Sequence, residues 1–370
     1  GSALAVLEWS WPKNINASNY LSQVRLVERN GRKCLGLPGD IFIPLDERMY
    51  ENVNEENLLD EIYLKAGLVL DYDTVRMLAA MQSMVDHGRP VLRIEGPTGV
   101  GKTFTAGGYA RLRGSSFLSN PVSEGPELGD WIGGFEHDPQ CLFRFNGDTT
   151  FKRRLEEGGV VALSELNTLL DQNENVSLAW WVLQIAEAEP DRDGYRTLAL
   201  TEVPVPAGRP VPTIRVHPKT LIVVDTNPGP TAAAEEKDKP SVVVESYSAR
   251  GAFPDVFSEY VPTLSVEGYV SGLPGNESKE KIQLYRYVSM FLKYGWRLGE
   301  KQMLPGVEND GFRREAAQLI RDVFWQVVSE YYQGRYGQDE MSVFSARDLK
   351  RFMEDVLKSL DEGKEGFAFI

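Results

Sequence analysis

Apolar residues recur along this chain with two periods, two and about 3.6, and the switches between them mark out its elements. Near the N-terminus, Val24-Arg25-Leu26-Val27-Glu28 and Lys33-Cys34-Leu35-Gly36-Leu37 flank Arg29-Asn30-Gly31-Arg32. Asn-Gly accepts the positive φ angles of a tight type I′ turn, so this stretch predicts a hairpin. Val75, Leu78, Met81 and Val85 then repeat at helical spacing, with Asp73 as the candidate cap and Gly88 and Pro90 as stops. A short β-prone run at 91–95 and two apolar runs at 160–163 and 221–224 follow, with a helix expected from Lys102 and another from Leu178 to Glu187. Strands alternating with helices predict an α/β unit with a mainly parallel sheet. Turn signals at 190–194 and 206–210 bracket strand-like pieces and predict an inserted hairpin. From about Ser278 the pattern is helical. Ala316, Leu319, Ile320, Val323, Phe324, Val327 and Tyr331 form one stripe, and Leu349, Phe352, Met353, Val356, Leu357 and Leu360 another. Ser345 and Asp348 are spaced as a capping box for the second. The chain thus divides into an N-terminal segment with a β-hairpin (1–65), an α/β core (66–268) and a C-terminal all-helical unit (269–370).

Composition narrows the class. The 370 residues include 54 acidic and 40 basic side chains, a net charge of −14, which argues against a coat for nucleic acid or for an anionic membrane surface. With 42% apolar and 25% charged residues the chain has ordinary globular usage, enough for two or three domains. Cys34 and Cys141 lie far apart and His87, His137 and His217 are scattered, so no zinc site is expected. No apolar run reaches membrane-spanning length, and the expectation is a cytoplasmic protein. The acidic cluster Glu51, Glu55, Glu56, Asp60 and Glu61 reads as a solvated helical face.

One motif carries chemistry. Gly96-Pro97-Thr98-Gly99-Val100-Gly101-Lys102-Thr103, followed by Phe104, fits G-x-x-x-x-G-K-[ST] after a predicted strand and before a predicted helix. Glycines let successive N–H groups point into one cavity, and a helix N-terminus adds positive potential there. Lys102 is expected on the β- and γ-phosphates and Thr103 on Mg²⁺. The chain has no N-K-x-D guanine motif, so ATP and ADP are the expected ligands. Hydrolysis also requires a base and an order-giving group for the metal. The 160–163 run ends in Ser164-Glu165, which places Glu165 as the base and Ser164 where many ATPases carry the metal-ordering aspartate. A hydroxyl brings no negative charge, so weakened Mg²⁺ ordering and slow turnover are expected. Asn227, beyond the 221–224 run, is placed to reach the γ-phosphate or the attacking water.

Taken as an ordered set, these residues resemble the AAA+ superfamily of ring ATPases, within it the MoxR, CbbQ and midasin-like group. The resemblance rests on Arg89-Pro90-Val91-Leu92 before the loop, Leu128-Gly129-Asp130-Trp131-Ile132-Gly133-Gly134-Phe135, the 151–159 stretch leading to Glu165-Leu166-Asn167, Val216-His217-Pro218 before Asn227-Pro228, and Ser345-Ala346-Arg347-Asp348-Leu349. It implies an ASCE-type P-loop sheet flanked by helices, with the C-terminal helices as a lid. It further implies Asn227 as sensor 1, Arg347 as sensor 2, and a homo-oligomeric ring, usually a hexamer, with an arginine finger supplied in trans. Val256 stands where that arginine belongs, and Arg250 is a weak replacement. The function expected on this basis is ATP-driven remodelling of a partner protein. The alternative is a nucleotide-dependent switch with little hydrolysis, and a nucleic-acid motor is a third reading that the acidic balance disfavours.

Overall fold

The N-terminal strands show why turn chemistry matters at the edge of this fold. β1 (Arg25–Arg29) and β2 (Arg32–Leu37) pair antiparallel, and the chain reverses through Asn30 and Gly31 at φ 52° and 73°. β3 (Ile41–Pro44) adds a third antiparallel strand on β2. α1 (Leu58–Ala66) and α2 (Tyr72–Asp86) follow. The cap of α2 is Asp71, not Asp73: its backbone is still extended, and its carboxylate accepts the Thr74 N–H at 2.7 Å. Asp73 lies inside the first turn, where its carboxylate accepts instead from Gln283 Nε2 at 3.1 Å. This computed structural model describes residues 11–97, 99–121, 133–138, 142–146, 149–164, 166, 176–201, 210–226, 257, 260–266, 277–294, 310–332 and 346–361.

β4 (Val91–Glu95) leads through residues 96–101 into α3 (Lys102–Arg113) and β5 (Phe117–Pro121). β6 (Gly134–Asp138) and β7 (Leu142–Asn146) form a two-stranded antiparallel pair, followed by α4 (Thr150–Glu157), β8 (Val160–Ser164) and α5 (Val176–Glu187). β9 (Arg196–Ala199) and β10 (Thr213–Val216) pair antiparallel, one on each side of the second turn signal in sequence, as an inserted hairpin. β11 (Leu221–Thr226) and β12 (Thr263–Ser265) complete a five-stranded parallel sheet in the order β12-β4-β11-β8-β5.

Alternation along these strands splits the core in two. Leu92, Ile94, Val160, Ala162, Leu221 and Val223 face one cluster, shared with α1, α2, α3 and the N-terminal sheet. Val91, Val161, Leu163, Ile222 and Val224 face the other, shared with α4, α5 and the β9–β10 pair. In the central strands β8 and β11 both faces are covered, which is why 160–163 and 221–224 read as unbroken apolar runs rather than as alternation.

Three C-terminal helices, α6 (Glu277–Tyr294), α7 (Asp310–Tyr332) and α8 (Ala346–Asp361), build a third cluster from Leu284, Val288, Leu292, Ala317, Ile320, Phe324, Leu349 and Met353. The apolar stripe on α7 is wider than the neighbours that cover it, since Leu319 and Val327 are exposed. Among the described residues no helix is long and apolar enough to cross a membrane.

Candidate phosphate-binding site

The loop between β4 and α3 is held by what its glycines permit. Gly96 runs so close to the end of β12 that an added Cβ would sit 2.4 Å from the Val266 carbonyl oxygen, so no larger residue fits without moving backbone. Gly101 occupies the position before α3 at φ 88°, where a residue with a Cβ is strained. The Gly96 N–H donates to the Thr226 carbonyl at 3.1 Å and the Val266 N–H to the Glu95 carbonyl at 2.8 Å, tying the loop's entry to strands on both sides. Below it, the half-buried Arg93 guanidinium donates to Thr226 Oγ1 at 3.2 Å and pairs with Glu95; burial lowers its pKa, with Glu95 opposing.

Lys102 opens α3 and is only 4% exposed. Its ammonium donates to the Gly96 and Pro97 carbonyls at 2.6 and 2.9 Å and pairs with Asp225 Oδ1 at 3.2 Å. Thr103 Oγ1 donates to Asp225 Oδ2 at 2.5 Å and lies 3.0 Å from Ser164 Oγ. A hydroxyl has one proton, and the carboxylate takes that of Thr103, so Ser164 is the donor in the second contact. Lysine, threonine, serine and aspartate therefore form one connected polar cluster at the carboxyl ends of β8 and β11.

Sheet order explains this convergence. β11 is inserted between β4 and β8, and in register Asp225 lies beside Ile94 on one side and Ser164 on the other. The tip of β11 thus flanks the loop on one side, as the end of β12 does on the other. Asp225, 8% exposed, was not among the residues expected from sequence. Its signal was present: residues 221–225 are four apolar residues followed by an aspartate, the pattern sought at 160–164 and found there to end in serine.

The other expected residues distribute differently. Gly99 and Val100 lie in the loop, and Phe104 is exposed on α3, its ring packed against Gly67 and 5.8 Å from the Arg111 guanidinium. Arg347 is exposed in the first turn of α8 and makes no hydrogen bond or ion pair to the loop among the described residues. Thr98, Glu165, Asn227, Arg250, Val256, Trp131, Ile132 and Ser345 lie outside the described residues. His217 sits at the opposite, amino-terminal edge of the sheet, where its Nδ1 accepts the Lys219 N–H at 3.0 Å and its ring meets Tyr195 edge-on. It shapes a turn there, remote in the fold from the loop.

Among the described residues no group of three or more His, Cys, Asp or Glu converges as an all-protein metal cage. The donor set at the loop, two hydroxyls and one carboxylate beside a phosphate-type cradle, fits Mg²⁺, which keeps several waters and takes few protein ligands plus phosphate oxygens.

No protein-family model matches this chain, and no curated protein matches it. Among solved structures it is similar to NtrX from Brucella abortus in complex with ADP, at 12% identity and a TM-score of 0.35. The match covers 79% of this chain and 57% of NtrX, so this chain spans less than two thirds of that protein's length. At that TM-score the likeness carries no weight in the reading of the site.

Proposed function

We propose that this protein binds ATP and ADP with Mg²⁺ at residues 96–104 and is a P-loop ATPase of the AAA+ type, similar to the MoxR, CbbQ and midasin-like group. The observation that carries the reading is the strand–loop–helix from β4 to α3, with Lys102 and Thr103 in its first helical turn and a buried carboxylate within bonding distance of both. Loop N–H groups and the α3 terminus supply positive potential for phosphate. Lys102 exchanges its loop carbonyls for phosphate oxygens, and the Thr103 and Ser164 hydroxyls face the metal's shell. When bound, Mg²⁺ offsets phosphate charge and orients the phosphate oxygens. Glu165 orients the attacking water, and Asn227 and Arg347 read the γ-phosphate.

In this reading the C-terminal helices act as a lid, a ring (a hexamer by resemblance) places nucleotide between subunits, and turnover remodels a partner protein. The second reading is a nucleotide-dependent switch with little turnover, favoured by the hydroxyl of Ser164 at the tip of β8.

Titration with a fluorescent ATP analogue tests the binding. Lys102→Ala is expected to weaken it by about two orders of magnitude, in line with the loss of a charge-assisted contact of about 3 kcal/mol. Equal affinity in parent and variant refutes the proposed site. Steady-state phosphate release then separates the two readings. Turnover that falls in Glu165→Gln and Lys102→Ala supports the ATPase, while the same low rate in all three supports the switch. A single monomer mass by light scattering with ATP and Mg²⁺ would remove the ring.

A further inference from the structure

We infer that Asp225, at the tip of β11, is the carboxylate that orders the divalent cation, doing from the neighbouring strand what Ser164 at the tip of β8 cannot do. The inference rests on the nucleotide-binding reading above and adds to it the identity of the acid and the route by which metal and phosphate binding are coupled.

Three observations carry it. Asp225 accepts the hydroxyl proton of Thr103, the residue expected on the metal, at 2.5 Å. Its other oxygen pairs with the ammonium of Lys102, the residue expected on phosphate, at 3.2 Å. It also stands in register with Ser164 across the β11–β8 ladder, so moving one strand toward the loop supplies the charge missing at the end of β8. A buried carboxylate keeps its charge only while it is paired. When phosphate oxygens draw Lys102 away, Asp225 loses that partner. A divalent cation entering beside the phosphate restores positive charge next to Asp225, and Thr103 Oγ1, whose proton goes to Asp225, has a lone pair to offer the metal. Lys102 and the cation therefore exchange places as Asp225's counter-charge. Phosphate and metal binding become one coupled event.

Isothermal titration with a non-hydrolysable ATP analogue, run in MgCl₂ and in EDTA, tests this, with bound Mn²⁺ followed by electron paramagnetic resonance as a direct readout of the metal. The parent should bind the analogue more tightly with Mg²⁺ than without, despite Ser164. Asp225→Asn should lose about 10- to 100-fold in that enhancement, the range for removing a group that orients a metal ligand, together with the bound Mn²⁺ signal. In EDTA the same variant should bind more tightly than the parent, because asparagine neither competes for Lys102 nor repels phosphate. That opposite sign is not expected of a merely misfolded site. Combining Ser164→Asp with Asp225→Asn should bring the enhancement and the Mn²⁺ signal back. The inference is overturned if Asp225→Asn keeps the parent's Mg²⁺ enhancement. It is equally overturned, with no variant needed, if the parent binds the analogue alike in Mg²⁺ and EDTA. A parent that binds the analogue in neither buffer removes the nucleotide reading itself, and this inference with it.

Discussion

The two ends of this protein are held in place by different physics. At the N-terminal end, Tyr20, Leu35 and Ile43 are fully buried in one apolar cluster with Leu78 of α2, Ala106 of α3 and Val223 of β11. The seam is stitched by backbone as well: the Tyr20 hydroxyl donates to the Leu70 carbonyl at 2.9 Å, and the Asp46 N–H to the Leu112 carbonyl at 2.8 Å. The C-terminal helices keep a small cluster of their own. Among the described residues, these helices reach α1 and Tyr20 of the N-terminal segment and α2 of the core through polar and aromatic contacts. Lys293 pairs with Asp60 at 2.6 Å, Gln283 donates to Asp73, Arg286 lies over the Tyr20 ring, and Tyr294 meets Tyr63. Apolar burial is non-directional and adds up with area, so the N-terminal sheet is part of the wall behind the loop. Polar contacts are each worth little net, and water or another partner can replace them. The first arrangement suits a fixed support, the second a seam that can be remade.

The strongest way to break this contrast is to damage each side's core. Leu35→Ala is expected to cost about 2–5 kcal/mol and Phe324→Ala about 3–5 kcal/mol. Hydrogen exchange should place the losses apart. Leu35→Ala is expected to speed exchange in α3, beneath the loop, whereas Phe324→Ala should act on α6 to α8 and leave α3 protected. Faster exchange in α3 from both variants would mean that the two ends share one cooperative unit.

A smaller effect sits at the seam itself. Burial first, then the neighbouring Asp73 carboxylate, push the Asp71 carboxyl up to about 6, while the Thr74 N–H and the Tyr287 hydroxyl pull the other way. The folded state therefore holds this proton more tightly than the unfolded chain, whose aspartate titrates near 3.8. The sign is opposite to that of a salt-bridged aspartate. Its contribution favours the fold most below about pH 4 and is lost as pH rises through about 6, by about 2–3 kcal/mol in all. Asp71→Asn keeps an N-cap residue. It is expected to flatten the slope of unfolding free energy against pH between 4 and 6, and an unchanged slope in denaturant titrations would exclude Asp71 as its source.

The smallest effect is the Lys293–Asp60 pair, partly exposed on both sides. A double-mutant cycle with Lys293→Ala and Asp60→Ala should give a coupling of about 0–1 kcal/mol that shrinks with added salt. A larger, salt-insensitive coupling would contradict the picture of an exchangeable seam.

Features set by neighbours in the chain were legible before any fold was known. Asn30-Gly31, Gly99 and Gly101 act through local backbone angles, and the run 160–163 announces a strand by its unbroken apolar residues. Where two residues compete for one local role, reading failed. Asp71 and Asp73 both precede a helical pattern, and the cap went to the one whose backbone remains extended while the other turned to a partner 210 positions away in the chain. The α7 stripe failed for a related reason, since periodicity names the apolar positions of a helix and says nothing of how many its neighbours will cover.

Asp225 marks the boundary most clearly. Its residue type and its place after four apolar residues are written in the chain, as are the loop, Lys102 and Thr103. Local backbone preference and period are short-range properties, so they survive without tertiary structure. That this aspartate meets Lys102 and Thr103 follows only from β11 lying between β4 and β8. Strand order is a choice among long-range pairings, made by the packing of helices on both faces of the sheet. Because the sheet adopted that order, a chain whose expected acid position holds a serine still presents a carboxylate to the loop at 96–101.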